Sequence, residues 1–508
     1  MTKPQDEFDA ALLANVQPAD WQNPRPAARY DLVVLGAGTA GLVSAAGAAG
    51  VGAKVALIEG EKLGGDCLNV GCVPSKALLR SAHVAAEVRD AGRFGIRVAE
   101  RATVDFPEVM RRMRAVRAGI SSADSVSRFS GELGVDVFLG RARFSGPAQV
   151  EVGDASLRFK RAVVATGARP VAPSIPGLDD AGYLTNETIF GLSELPRRLL
   201  VLGAGPIGCE LAQAFRRFGA QVTLVEMGDQ FLAREDPDAA QVLRAAFDRD
   251  GIDIRLNTQL TRVELTNGEK LATLQVSEAG SSGVKSEKLA VDEILVGVGR
   301  APNVEGLGLE TAGIDYDPKR GVGVNDCLRT SNRRVYAAGD VCMAAKFTHA
   351  ADFAARAVIQ NALFFGRKKL SALTIPWCTY TSPEIAHVGS NERIAAEQGM
   401  EIATWVRKLD EVDRARADGD DEGFVKIHTK KGSDRIVGAT VVARHAGDLI
   451  SEISVAMAAG MGLGRLASVI HPYPTQAEAI RQLGDAYNRT RLTPGAKRLL
   501  ALILRLRR

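Results

Sequence analysis

Two cysteines offer the chemistry. Cys67 and Cys72 stand in the run Gly64-Gly65-Asp66-Cys67-Leu68-Asn69-Val70-Gly71-Cys72-Val73-Pro74-Ser75-Lys76, with four residues between them, ahead of an apolar stretch at 77–88 that reads as a helix. A thiol at a helix start faces unpaired N–H groups and the positive end of the helix dipole, which favour the thiolate a working redox group needs. Pro74 suits a first helical turn, and Lys76 adds positive charge close to the pair. The competing reading, a structural disulfide or two buried thiols, is disfavoured because a chain of 508 residues builds its core without staples.

Elements able to feed electrons to such a pair lie on both sides of it. From Tyr30 a short apolar strand leads into Gly36-Ala37-Gly38-Thr39-Ala40-Gly41, a small-residue helix to about residue 50, and a strand at 54–58 that ends at Glu59. Strand, glycine turn, helix, strand and terminal acid at this spacing form a dinucleotide-binding unit. Gly36 makes the turn, Gly38 lets the backbone approach a pyrophosphate, and Gly41 allows close helix-strand packing. Glu59 is placed to accept from ribose hydroxyls. The unit recurs as a strand at 199–202, Gly203-Ala204-Gly205-Pro206-Ile207-Gly208, a helix to about 218, and a strand at 221–225 ending at Glu226. Two units imply two nucleotides. A carboxylate at Glu226 suits the free ribose 2′-hydroxyl of NADH and repels a 2′-phosphate, while Arg234 nearby keeps NADPH possible.

These motifs, in this order over residues 30–487, resemble the flavin-dependent pyridine nucleotide-disulfide oxidoreductases, which include dihydrolipoamide dehydrogenase, glutathione reductase and mercuric reductase. Their redox pair has the same C-x-x-x-x-C-x-P-S-K form. The resemblance implies an α/β fold with two Rossmann-like dinucleotide-binding domains and a C-terminal α+β dimerisation domain. Its expected boundaries are an N-terminal extension at 1–28, an FAD-binding domain at 29–175 and 301–370, an NAD(P)-binding domain at 176–300, a dimerisation domain at 371–487 and a basic tail at 488–508. The first glycine unit would hold FAD and the second NAD(P)H. Thr166 and Gly167 match the A-T-G segment where the chain leaves the flavin domain, residues 294–300 match the exit from the nicotinamide domain, and Gly339 and Asp340 match the second FAD motif. By the same resemblance Cys72 faces the flavin, Cys67 exchanges with substrate, and Lys76 and Glu210 form a pair beside the isoalloxazine ring. Each site would be completed by the second subunit of a homodimer.

The segment His471-Pro472-Tyr473-Pro474-Thr475-Gln476-Ala477-Glu478 carries a departure. In the family's disulfide reductases a histidine precedes P-T-x-x-E and forms a proton-moving dyad with the glutamate. Tyr473 holds that place here, and His471 lies two residues early. Histidine titrates near about 6.5, whereas tyrosine, at about 10, stays protonated and mainly donates a hydrogen bond. This resembles mercuric reductase, in which a tyrosine stands beside the path of a thiolate-bound metal. Yet no cysteine follows Cys378, so the C-terminal vicinal pair typical of that branch is missing, and another thiol-reactive metal, a small disulfide or a quinone stays open as acceptor. The reading is an FAD-dependent, NAD(P)H-oxidising enzyme most like mercuric reductase. Dihydrolipoamide dehydrogenase is the runner-up, and a flavin-bearing redox sensor or complex subunit is the alternative from another class.

Composition bounds the rest. With 46% hydrophobic and 24% charged residues the chain has the balance of a soluble globular protein, and a net charge of +4 does not argue for nucleic acid. No resident metal is expected. Cys209, Cys327, Cys342 and Cys378 stand singly, which points to a reducing cytoplasm. Residues 1–28 hold Asp6, Glu7, Asp9 and Asp20 and no apolar run long enough for a signal peptide, so a flexible or surface-draped extension is expected. Residues 488–508 carry seven Lys and Arg and no acid. Residues 497–508 read as a basic helix docked on the protein's own surface, with attachment to anionic lipid as the second reading.

Overall fold

The computed structural model describes residues 6–98, 102–277 and 284–507, so residues 1–5 of the extension and Arg508 of the tail lie outside the described residues. The chain forms two compact units. One comprises Met1–Ala204, Ala214–Met227 and Asn257–Leu373; the other comprises Gly205–Gln213, Gly228–Leu256 and Thr374–Arg508.

The first unit opens with α1 (Glu7–Val16), β1 (Tyr30–Leu35), α2 (Thr39–Gly50), β2 (Val55–Glu59), α3 (Gly65–Val70), α4 (Cys72–Asp90) and α5 (Phe106–Ser121). Four strands follow: β3 (Asp136–Leu139), β4 (Ala142–Gly146), β5 (Gln149–Val152) and β6 (Ala155–Val164). Strand order is β3-β2-β1-β6-β5-β4, and Val335–Ala337 also pairs with β6. β1 is parallel to both neighbours, with Leu32 opposite Val55 and Arg161. Every β1 residue except Asp31 is buried, as expected for a parallel strand covered on both faces. Tyr30, Val33, Leu35, Ile58, Phe144 and Phe159 form its core. Small residues bring α2 close to the helix Thr348–Leu363: a Cβ on Gly47 would stand 2.5 Å from Ile359 Cδ1.

A second parallel sheet in this unit sets Arg198–Leu202 between Gln221–Val225 and Glu293–Val296. An antiparallel meander of Thr258–Thr266, Glu269–Ser277 and Val284–Val291 packs with it through Leu200, Val225, Leu260 and Ile294.

The second unit is built on a five-stranded antiparallel sheet, in the order Pro376–Thr379, Glu384–Gly389, Ile436–Ala443, Phe424–Lys430, Ile402–Lys408. Helices Ala446–Ala458 and Glu478–Thr490 bury Ile450, Ile453, Ile480 and Leu483 against Ala386, Ile427 and Val441.

Four expectations are corrected or sharpened. Of the two readings of the amino-terminal extension, the flexible one fails and the surface-draped one fits: Asp6 caps α1 by accepting from Phe8 N and Asp9 N, and α1 buries Leu12 and Val16. Two ion pairs pin it to α5, Arg114 to Asp6 at 2.6 Å and Arg117 to Asp9 at 2.7 Å, and Asn23 then exchanges hydrogen bonds with Leu139 on edge strand β3. Burying those two aliphatic side chains contributes about 2 kcal/mol each, enough to hold one short helix. The helical run read at 77–88 extends back to Cys72, after the glycine break at Gly71, which puts Pro74 in its first turn as expected. The single strand expected at 294–300 ends at Val296, and Arg300 opens a separate short strand, Arg300–Pro302. The tail helix spans Pro494–Leu506, capped by Thr493, and buries none of its residues, so it is not docked on the rest of the described chain.

Candidate active site

Gly64 and Gly65 both take positive φ, +88° and +54°, and a Cβ on Gly65 would stand 2.7 Å from Gly38 Cα. Only glycine at both places lets the redox segment lie against the first glycine turn. Cys67 follows in α3, and Gly71 then breaks the chain so that Cys72 starts α4. Asn69, between the cysteines, locks the loop by donating to Leu63 O at 3.0 Å and Gly65 O at 2.9 Å. Arg117 reaches in from α5 and donates to Asn69 O at 2.8 Å, while Asn186 donates to Val70 O at 3.2 Å.

Both cysteines are free thiols, Cys67 half-buried and Cys72 exposed. The helix-start advantage falls to Cys72, whose Sγ lies 3.5 Å from Thr348 Oγ1. Cys67 departs from the expectation of a lowered pKa. Its hydrogen bond with the Cys72 thiol and its burial push its pKa well above that of an ordinary thiol. Lys76 sits half-buried at the start of the second turn of α4.

Arg300 ties this segment to the strand end at Asp340. Its guanidinium is paired with Asp66, donates to Ala168 O at 2.6 Å, and holds Nε 3.6 Å from Asp340 Oδ2. Burial raises the Asp340 carboxyl above its usual range, against the pull of Arg300 and Lys346.

The first glycine turn is packed too closely against its neighbours to carry side chains at two positions. Gly36 has φ +99°, and a Cβ there would meet Ala165 O at 2.4 Å; one on Gly41 would meet Gly36 O at 1.8 Å. The N-terminus of α2 at Gly38 has no side-chain cap, which leaves its N–H groups for an anion. Glu59 accepts from Ala37 N at 2.6 Å and from Glu61 N at 2.8 Å, so the acid expected to meet a ribose also braces the turn. Burial raises its pKa. The second turn repeats the design: Gly203 has φ +94° with Gly297 O 2.7 Å from its would-be Cβ, and Glu226 accepts from Ala204 N at 2.9 Å. Thr166 and Gly167 are fixed by Asn303, which accepts from Thr166 Oγ1 at 2.7 Å through its carbonyl and donates to Thr166 O at 2.9 Å through its amide.

In the second unit Gly208 is buried in the helix Pro206–Phe218, and Gly205 lies just ahead of it. Glu210 is buried there and accepts from Tyr380 N at 2.9 Å. Tyr473 is exposed and donates to Asp413 Oδ2 at 3.0 Å, a bond that raises its pKa. Glu478 accepts from Arg481 at 2.7 Å. His471 faces two acceptors, Glu452 Oε1 at 2.9 Å and Val469 O at 3.0 Å.

Arg117, Arg300, Asn303 and Thr348 were not singled out from sequence. Arg300 closes the segment 294–300 matched to the nicotinamide-domain exit, though nothing in the sequence named its role; Arg117 had no signal, because its partners come from remote segments. No cluster of three or more metal-binding side chains occurs among the described residues.

The profile described as pyridine nucleotide-disulphide oxidoreductase matches residues 30–360, and that of the corresponding dimerisation domain matches residues 375–483. Mercuric reductase of Streptomyces lividans is 36% identical over 464 residues, covering 90% of this chain and 96% of that protein. Dihydrolipoyl dehydrogenase of Thermus scotoductus is 33% identical over 469 residues, covering 91% and 98%. Among solved structures, LpdA of Mycobacterium tuberculosis superposes with a TM-score of 0.81 at 28% identity, covering 90% of this chain and 99% of that one. The Cu(II) complex of RclA, an HOCl-induced flavoprotein disulfide reductase of Escherichia coli, gives 0.79 at 28% identity, covering 91% and 100%.

Proposed function

Because this chain belongs to the pyridine nucleotide-disulphide oxidoreductases, FAD-dependent enzymes that use NAD(P)H, we propose that NADH is its reductant and a thiolate-bound soft metal ion such as Hg(II) its acceptor. FAD, when bound, supplies the two-electron relay between nicotinamide and disulfide. The residues present fit it: Gly36, Gly38, Gly41 and the uncapped end of α2 would hold the diphosphate, with Glu59, Thr166, Gly167, Gly339 and Asp340 around the rest. Gly203, Gly205, Gly208 and Glu226 would hold NADH. Overall, NADH and Hg(SR)2 give NAD+, Hg(0) and two thiols; of the two protons the released thiolates take up, one comes from the hydride and one from solvent.

Cys67 and Cys72, as dithiol, offer the soft ligands such an ion demands. Lys76 and Glu210 set the charge beside the flavin, and Tyr473 and Glu478 complete the site from the second subunit of the homodimer. The observation that carries the metal reading is Tyr473. Its hydroxyl is bound to Asp413 and stays protonated at neutral pH, so it donates but does not shuttle protons. A disulfide substrate needs a shuttle for its leaving thiolate, and Glu478 is engaged with Arg481 instead of a histidine. One observation favours dihydrolipoamide dehydrogenase: the His471 to Glu452 contact is itself a histidine-carboxylate pair.

Anaerobic NADH oxidation with thiol-complexed Hg(II) against lipoamide decides between them. Fast turnover with Hg(II), abolished by Cys67→Ala, is expected. Turnover with lipoamide alone would overturn the metal reading, and NADPH outpacing NADH would overturn the role given to Glu226.

A further inference from the structure

No residue of the tail helix Pro494–Leu506 is buried, although about half of it is aliphatic. At about 100° per residue, Leu499, Leu500, Leu502, Ile503, Leu504 and Leu506 spread over roughly 200° of its circumference. Lys497, Arg498 and Arg505 occupy the opposite side, and Arg489, Arg491 and Arg507 flank it. Among the described residues none of these six cations pairs with a carboxylate, and residues 488–508 contain no acid. A wide aliphatic face opposite one whose charges are all positive complements a surface that is greasy beneath and negative at its rim.

We propose that the helix Pro494–Leu506 docks on the surface of an anionic lipid bilayer, lying in the plane of the headgroups. Thirteen helical residues extend about 20 Å, short of the roughly 30 Å hydrocarbon core, so the helix lies in the interface and does not cross it. A second copy of this chain is the poorer occupant. The stretch matched by the dimerisation profile ends at 483, and pairing two such tails would bring like charges together with no acid to offset them.

Co-sedimentation of the FAD-loaded full chain with lipid vesicles tests this. Binding to phosphatidylcholine vesicles containing phosphatidylglycerol is expected to exceed binding to pure phosphatidylcholine at least about tenfold and to be lost in high salt. Arg498→Glu with Arg505→Glu removes the charge complement, and Ile503→Asp splits the apolar face; each should reduce binding at least about tenfold while NADH turnover is kept, which shows that the fold survives. Absence of wild-type binding, or binding indifferent to both variants, overturns the proposal. So does a fall in assembly mass on Ile503→Asp without vesicle binding, which would assign the face to a second copy.

Discussion

A single backbone position shows how tightly the chemistry is prescribed. Gly36 combines a left-handed φ with a carbonyl 2.4 Å from where a Cβ would stand, so Gly36→Ala is expected to cost FAD retention at least about tenfold. The flavin-to-protein absorbance ratio of the purified protein reads this directly, and Gly50→Ala, where nothing lies within 4 Å, should leave it unchanged. Tyr473 calls for a kinetic readout. Tyr473→Phe should lower kcat/KM for Hg(II)-thiolate at least about tenfold and spare lipoamide; equal losses with both substrates would reduce Tyr473 to a packing role. The cysteines and glycines were legible from sequence because each is a residue type that few other roles demand at that spacing. Arg117 and Arg300 were not, since an arginine declares its role only when folding brings its acceptors to it, Asp9 and Asn69 in one case, Asp66 and Ala168 in the other.

At the scale of elements, the strands of the second unit enclose a polar cluster that sequence patterning could not reveal. Glu235 accepts from Trp377 Nε1 at 2.6 Å, and the Trp377 ring lies 4.4 Å from that of His387, which in turn meets Thr440 Oγ1 at 2.8 Å. Burial pushes Glu235 up to about 7 from 4.5, helped by the charge of Asp236 and opposed by the Trp377 bond, and its second oxygen has no partner. Burial also drives His387 down to about 4 from 6.5. The signs oppose each other. The Glu235 contribution is fully present below pH 4.5 and lost as pH rises to about 7, whereas that of His387 is present above 6.5 and lost as pH falls to about 4. Glu235→Gln is therefore expected to raise the melting temperature near about pH 8, by the equivalent of up to about 3 kcal/mol, and to leave it unchanged near about pH 4.5. Thermal scans at the two pH values check this, and an equal shift at both would discard the ionisation argument. α1 was missed because Phe8, Leu12 and Val16 are diluted among acids whose partners sit on α5.

For the whole molecule, the second unit presents apolar side chains that a monomer would leave wet: Ile470 is 95% exposed, Tyr473 70% and Val455 67%. If the homodimer covers them and lends Tyr473 across the interface, Ile470→Asp should yield an FAD-loaded monomer without metal-thiolate turnover. Light scattering alongside the assay reads both, and a fully active monomer would contradict a shared site. The order of the motifs made the architecture legible, while at the two chain ends the amino-terminal helix rests on ion pairs with α5 and the tail helix on its Thr493 cap, neither of which a motif encodes. One of those ends has a practical consequence. The guanidinium of Arg117 grips Asp9 with one nitrogen and the carbonyl of Asn69, between the two cysteines, with another. A protease nick behind α1, or a wire pulling the amino terminus toward an electrode, would therefore tug on the redox loop itself. Anyone building a biosensor from this protein should fasten it elsewhere.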